Sequence, residues 1–419
     1  MTLHFTRNLV TVNAILDRFS PVVLAGLMII GAFRKYVVLT SSSGGDDLLY
    51  SDIPKSLMLL RGQNPYLVNP WRSPYPLFLF VVLDGIMWTA SGGEVLSGTS
   101  IGVLSWDIRV AGLLADLCVG GLIFLVLRLR GLSGLQVLVP VGLYLLLDPV
   151  ALLPYVIFHV DAFGYLILAV SILALVMDRF LLGTMLLSVS VVFKVHPILA
   201  LLLLLVWIAR RHGITMALPS FVSSGVILVV GLAMPLWIPG YTGSFFGYNL
   251  STGFGNGTAS YSLLNFFYAV LPVSVGLALP ISTVNVIWLA ATASLFAFAL
   301  RWVWVHAGRV GPIEVVLLGL LVWLLPLREL YPWYVAWALI PFLMRASLVE
   351  SVLAGAFLEL AYVIGGLLFN PQGSPFPLIG SVYGFFLTSL LYAAFNIIAM
   401  TSILRRYVRH KNCPGSIVN

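Results

Sequence analysis

The sequence predicts an all-α polytopic membrane protein with about 12 transmembrane helices, in a range of about 10–13. Three observations carry this. First, 60% of the 419 residues are hydrophobic and only 9% are charged, and the mean hydropathy is +1.05. A soluble domain has about 25% charged and about 45–50% apolar residues, so this chain has more apolar surface than a water-facing fold can hide. Second, the apolar runs are continuous, as over 201–206, whereas the strands of a membrane β-barrel alternate apolar and polar residues. Third, the scarce basic residues fall in clusters between these runs. The composition excludes a soluble enzyme, a DNA-binding protein and a disulfide-stapled secreted domain.

The basic clusters order the helices. They are Arg128/Arg130, Arg179, Arg210/Arg211, Arg301/Arg309, Arg345 and Arg405/Arg406/Arg409/Lys411. Cytoplasmic loops carry the Lys/Arg excess of membrane proteins, so helices must come in pairs between successive clusters. The pairs are 133–150 with 161–177, 180–194 with 196–209, 218–238 with 281–300, 311–326 with 333–345, and 349–368 with 378–404. A first helix over 21–39 leaves the cytoplasm, and one over 108–127 returns to Arg128. Both termini are then cytoplasmic.

The apolar stretch 76–90 is not counted as a span. It carries Asp84 at its middle, it is shorter than the ~20 residues a span needs, and counting it would put the basic clusters on the wrong side. It reads as a helix lying in or dipping into the outer interface, inside a long first external loop over 40–107. A second long external loop runs over 239–280. The short helices 180–194 and 196–209 meet at Lys194-Val195-His196-Pro197. The other reading, one long kinked helix over 180–209, inverts the sidedness of everything upstream. The chain divides into a core module over 1–240 and a second module over 241–419, made of the external loop and the C-terminal helices.

The net charge of +7, from 22 basic and 15 acidic residues, is the cytoplasmic bias of a membrane protein and implies no nucleic acid. Cys118 and Cys413 lie far apart and suggest neither a disulfide nor a metal site. The first 20 residues show no apolar core followed by a small-residue cleavage site, so no cleaved signal peptide is expected. The Gly/Ser/Thr/Tyr-rich stretch 240–262 carries two N-glycosylation patterns, Asn249-Leu250-Ser251 and Asn256-Gly257-Thr258.

Most of the remaining polar residues fall on the external side of this threading. Asp46, Asp47 and Asp52 follow the first helix; Arg61, Arg72, Asp84, Glu94, Asp107 and Arg109 lie along the first external loop. Asp148, His159 and Asp161 border the next external turn, Lys194 and His196 the one after, and Arg328 and Glu329 a later one. Ionisable groups near membrane depth are costly and mark a polar pathway or site. Two adjacent carboxylates such as Asp46-Asp47 repel, which raises one pKa toward that of a general base; a solvated loop tip or a helix N-cap is the plainer reading. Lys194, inside an apolar run, needs an anionic partner: either a substrate phosphate, with His196 as a second donor, or an ion pair with Asp161 or Asp148. Arg328 suits a phosphate through its planar fork or an interfacial aromatic belt. Asp116 is deep in its helix and should pair with a neighbour, and Arg34 and Lys35 are expected to snorkel to the outer interface.

Several pieces, in order, resemble the GT-C superfamily of integral membrane glycosyltransferases, most closely the GPI mannosyltransferase I catalytic-subunit family and bacterial polyprenol-phosphate-mannose-dependent mannosyltransferases. They are Asp46-Asp47-Leu48-Leu49-Tyr50-Ser51-Asp52, Gly62-Gln63-Asn64-Pro65-Tyr66, Trp71-Arg72-Ser73-Pro74-Tyr75-Pro76-Leu77, Ala115-Asp116-Leu117, Asp148-Pro149, His159-Val160-Asp161-Ala162, Lys194-Val195-His196-Pro197 and the stretch 331–337. The resemblance covers most of 21–210 and, weakly, 326–341. The family's Asp-x-Asp stands here as Asp46-Asp47, and Asp148 replaces its Asn.

The resemblance implies a GT-C-like fold with membrane-parallel helices in the first external loop. It also implies an inverting transfer of a sugar, mannose first, from a polyprenyl-phosphate donor. The acceptor would be a lipid-linked glycan, glycolipid or glycoprotein on the extracytoplasmic side of the plasma membrane or its equivalent. Asp47, or Asp46, would take the acceptor's proton. Lys194 and Arg328, with His196 and Arg72 in reserve, would meet the phosphate. Asp161 and Asp52 would orient substrate, and Tyr66, Trp71, Tyr75 and Tyr331 would line a sugar groove. A carboxylate pair also suits a divalent cation, which the transfer does not require. The partners implied are the donor, the acceptor, membrane lipids and room for a small membrane subunit. Two other classes compete: a secondary transporter with Asp116, Asp161 and Lys194 as coupling relay, and a non-catalytic subunit of a membrane complex.

Overall fold

The computed structural model describes residues 14–41, 48, 52–67, 76–92, 101–147, 160–242, 280–326, 334–345, 347–369, 387 and 390–404. All regular structure among them is helical. Four segments, Ser20–Thr40, Ile101–Leu129, Ile214–Trp237 and Val286–His306, are long and apolar enough to cross a membrane, as a helical membrane protein requires. The helices are α1 (Ser20–Ser41), α2 (Ile53–Leu60), α3 (Leu77–Ala90), α4 (Ile101–Leu129), α5 (Leu135–Leu146), α6 (Asp161–Val176), α7 (Phe180–Phe193) and α8 (Ile198–His212). They continue with α9 (Ile214–Leu228), α10 (Ile281–His306), α11 (Pro312–Leu324), α12 (Val335–Leu343), α13 (Leu348–Phe369) and α14 (Leu390–Leu404). A π turn over Val229–Ala233 and a 3-10 turn over Met234–Trp237 extend α9.

The centre is α11 and α12. All nine residues of α12 are buried, and α11 buries residues on every side, which is how a helix apolar all round is accommodated. Helix α11 packs on α8, α10 and α6, and α12 on α6 and α5. Gly319 makes the contact with α8 close: a Cβ there would stand 2.3 Å from the Cα of Ala200. Small residues let helix backbones approach in this way where lipid offers no hydrophobic drive to associate.

Basic residues from several of the described clusters meet at one end of the molecule. Arg128, at the end of α4, pairs with Asp17, ahead of α1. Arg130 donates to the carbonyl of Met344, after α12. Arg345 pairs with Glu314 of α11 at 3.1 Å and donates to Ser402 of α14. The Trp207 indole and the Arg211 guanidinium of α8 donate to the Val310 carbonyl, at 3.0 and 2.9 Å. Helix ends that the sequence assigned to one side of the membrane thus share one side of the fold among the described residues.

Helices α7 and α8 form a hairpin. Phe180, which opens α7, packs on Trp207 and His212, which close α8, so the two run antiparallel and the kinked-helix alternative is excluded. The break is local chemistry. Pro197 disfavours helical backbone at His196 before it, and Lys194 is extended, at φ −152° and ψ 126°.

The described helices differ in length toward the end opposite the basic residues. Helices α5, α6, α7, α8, α11 and α12 have 12, 16, 14, 15, 13 and 9 residues, or ~14–24 Å at 1.5 Å per residue. Helices α1, α4 and α10 have 22, 29 and 26, or ~33–44 Å. All start or finish at the basic end, so the short ones stop below the level the long ones reach.

Candidate functional site

At this end α6 and α8 begin, α7 ends, α11 ends and α12 begins, and their ends meet in one junction. The Lys194 ammonium donates to Asp161 Oδ1 at 2.6 Å, with the lysine side chain 8% and the aspartate 1% exposed. This is the ion pair the sequence offered as the alternative to a phosphate contact. The ammonium also lies 4.4 Å from the centre of the Tyr334 ring, a cation-π distance. Tyr334 packs at 4.5 Å on His196, whose ring faces Trp337 at 5.9 Å. Gly164 makes room for Trp337, since a Cβ there would meet the indole at 2.6 Å.

His196 is held from its far side. The Trp323 indole N–H donates to its Nδ1 at 3.0 Å. Three side-chain atoms at this junction are buried and make no hydrogen bond among the described residues: Asp161 Oδ2, His196 Nε2 and Trp337 Nε1.

A second apolar cluster caps this end. It joins Leu39 of α1, Leu48, Ile53 and Leu57 of α2, Tyr66, Leu79, Phe80, Leu83 and Met87 of α3, Leu104 and Ile108 of α4, Val160, Phe193 and Tyr241. Four of its members are sequence neighbours of predicted site residues: Leu48 follows Asp47, Ile53 follows Asp52, Val160 precedes Asp161, and Phe193 precedes Lys194.

Asp52 and Lys55 are buried on α2. Burial pushes the Lys55 ammonium down to about 8, against the pull of Asp52. Tyr66 is buried against Tyr241 and Phe80, and burial pushes its phenol up. On α3, Asp84 Oδ1 is buried without a partner among the described residues. Burial pushes this carboxyl up to about 7, with the Ser56 hydroxyl pulling the other way.

Of the predicted site residues, Lys194, His196 and Asp161 come together, and Asp52 and Tyr66 lie by the capping cluster. Asp46, Asp47, Arg72, Trp71, Tyr75, Arg328 and Tyr331 lie outside the described residues. The expectation that Lys35 snorkels is corrected. Its ammonium is fully buried and pairs with Asp116, which also accepts from the Tyr144 hydroxyl at 2.5 Å. Arg34 donates to the Leu146 carbonyl at 2.6 Å. Pairing a buried charge within the bundle replaces the water that snorkelling would have reached.

Sequence reasoning missed Trp323, which nothing in its apolar run distinguishes, and gave Trp337 no role. Among the described residues no group of three His, Cys, Asp or Glu side chains is arranged to hold a metal ion. The sequence matches no family model and has no significant match among curated proteins.

Proposed function

We propose that the protein is an inverting glycosyltransferase of the GT-C type, with about 12 membrane spans, that takes a sugar from a polyprenyl-phosphate donor on the extracytoplasmic side. The observation that carries this reading is the buried junction of Lys194, Asp161 and His196, opposite the basic end. The capping cluster over it contains the residue that follows Asp47.

In this reading the acceptor hydroxyl oxygen attacks the anomeric carbon as Asp47, or Asp46, takes its proton. The bond from that carbon to the phosphate oxygen breaks, and the phosphate leaves with the electron pair. Fixed cations stabilise the charge it gains. Lys194 is already partnered by Asp161, so Arg328 and Arg72 are the cations this reading assigns to the phosphate. The two buried ion pairs, Asp116 with Lys35 and Asp161 with Lys194, are each neutral and separate, which favours this reading over a transport relay.

The test is a transfer assay with the purified full-length chain and polyprenyl-phosphate mannose, glucose and arabinose donors. Transfer from one of them is expected, with loss on Asp47→Asn or Asp46→Asn. Transfer that survives both substitutions removes the base assignment, and no transfer from any donor removes the reading.

A further inference from the structure

The unpartnered atoms at the junction have a definite chemistry. An indole N–H can only donate, so the hydrogen bond from Trp323 fixes His196 Nδ1 as an acceptor. In the neutral ring the proton then sits on Nε2, which is buried and has no partner among the described residues. Trp337 Nε1 is a second unpartnered donor, and its side chain is fully buried. Asp161 Oδ2 is an unpartnered acceptor on a residue 1% exposed. Native proteins pair the large majority of buried side-chain polar atoms, so three at one junction call for an occupant.

An occupant that met all three would accept two hydrogen bonds and donate one. A phosphate oxygen only accepts, and the free oxygen of Asp161 would repel it. The charge of Lys194 is matched by Asp161 at 2.6 Å, so the pair offers an anion no net attraction. A hydroxyl both donates and accepts. The rings of Tyr334, Trp337 and Trp323 stand around His196, and aromatic side chains are apolar surfaces of the kind a pyranose packs on.

We propose that this junction is a hydroxyl-binding subsite for the sugar of the donor. It rests on the glycosyl-transfer reading above and refines it. His196 Nε2 and Trp337 Nε1 give hydrogen bonds to sugar oxygens, and Asp161 Oδ2 accepts one from a sugar hydroxyl. Lys194 is a positioning residue that holds Asp161, and the phosphate binds elsewhere.

Equilibrium binding by the full-length protein in detergent tests this with two probes. One is the polyprenyl-phosphate sugar that transfers in the assay above; the other is the same polyprenyl phosphate without sugar. The wild type should prefer the sugar-bearing lipid by about tenfold, the size of one or two good hydrogen bonds. His196→Phe and, separately, Trp337→Phe should remove most of that preference and leave the bare lipid phosphate bound as before. The melting temperature of each variant identifies one that has lost its fold, and the other then carries the test. Equal weakening of both probes in a folded variant overturns the proposal by assigning the group to the phosphate. An unchanged preference in both overturns it by leaving the atoms to water. Absence of transfer from every donor is a separate result, which removes the underlying reading instead.

Discussion

The ring of Phe180, which opens α7, lies 4.5 Å from the ring of His212, which closes α8. This contact makes Lys194 the tip of a hairpin. The sidedness of the chain then follows and can be measured. With Cys118 and Cys413 replaced by serine, Arg179→Cys and Thr215→Cys should react with a membrane-impermeant maleimide from the same side, and Ser91→Cys from the other. Labelling of the first two from opposite sides contradicts the hairpin. Labelling of Ser91→Cys from their side makes 76–90 a span.

The buried pair of Lys35 and Asp116 joins α1 to α4, and Tyr144 adds α5. Removing one charge of such a pair strands the other, at a cost of about 3–5 kcal/mol, whereas replacing both with apolar groups is often neutral. Asp116→Asn should therefore lower the melting temperature in detergent strongly, and Lys35→Met with Asp116→Leu should recover most of the loss. Tyr144→Phe should cost about 1.5–3 kcal/mol, the value of a hydrogen bond to a charged group. A double variant as unstable as Asp116→Asn would mean that the pair does more than satisfy itself.

The helices were legible where charge and apolar length agreed. The sequence pairing of 180–194 with 196–209 became α7 and α8 because Arg179 and Arg210/Arg211 bracket them and Pro197 breaks them. The junction was legible in part, since a lysine inside an apolar run, Lys194, demands a partner, and the threading put Asp161 and His196 at external turns on the same side. The choice between Asp161 and Asp148 was not legible, because it depends on which helix ends meet in space. Lys35 was misread for the same reason: from the sequence its nearest relief was the interface, and Asp116 lies 81 positions away. Trp323 was invisible because its value is one N–H direction, which no composition or period encodes.

Close packing gives a sharper test of the central helices. A Cβ on Gly319 would stand 2.3 and 2.5 Å from the Cα and amide nitrogen of Ala200, and backbone cannot rotate away as a side chain can. Gly319→Ala should destabilise the protein by about 1–3 kcal/mol or more, the usual cost of overpacking. At Gly26 nothing lies within 4 Å of the same atom. Gly26→Ala should be neutral or stabilise by up to about 1 kcal/mol through helix propensity. Equal melting temperatures for the two variants would show that α8 and α11 can separate without cost.

The carboxyl of Asp84 gives stability a pH dependence of definite sign. Burial raises it to about 7 from an ordinary value of 3.8. Between these values the folded protein keeps a proton that the unfolded chain has released. The folded state then binds more protons, and stability falls as pH rises. The contribution is whole below about 4, where both states are protonated, and is lost as pH passes through about 7, where the buried group must ionise. Asp84→Asn keeps the shape of the protonated form and has nothing to titrate. The wild-type melting temperature in detergent should therefore fall between about pH 5 and 8 by more than that of Asp84→Asn, with the two closest at the acid end. Parallel curves would mean that Asp84 is ionised in the folded protein at neutral pH, and that its carboxyl is open to water beside Ser56.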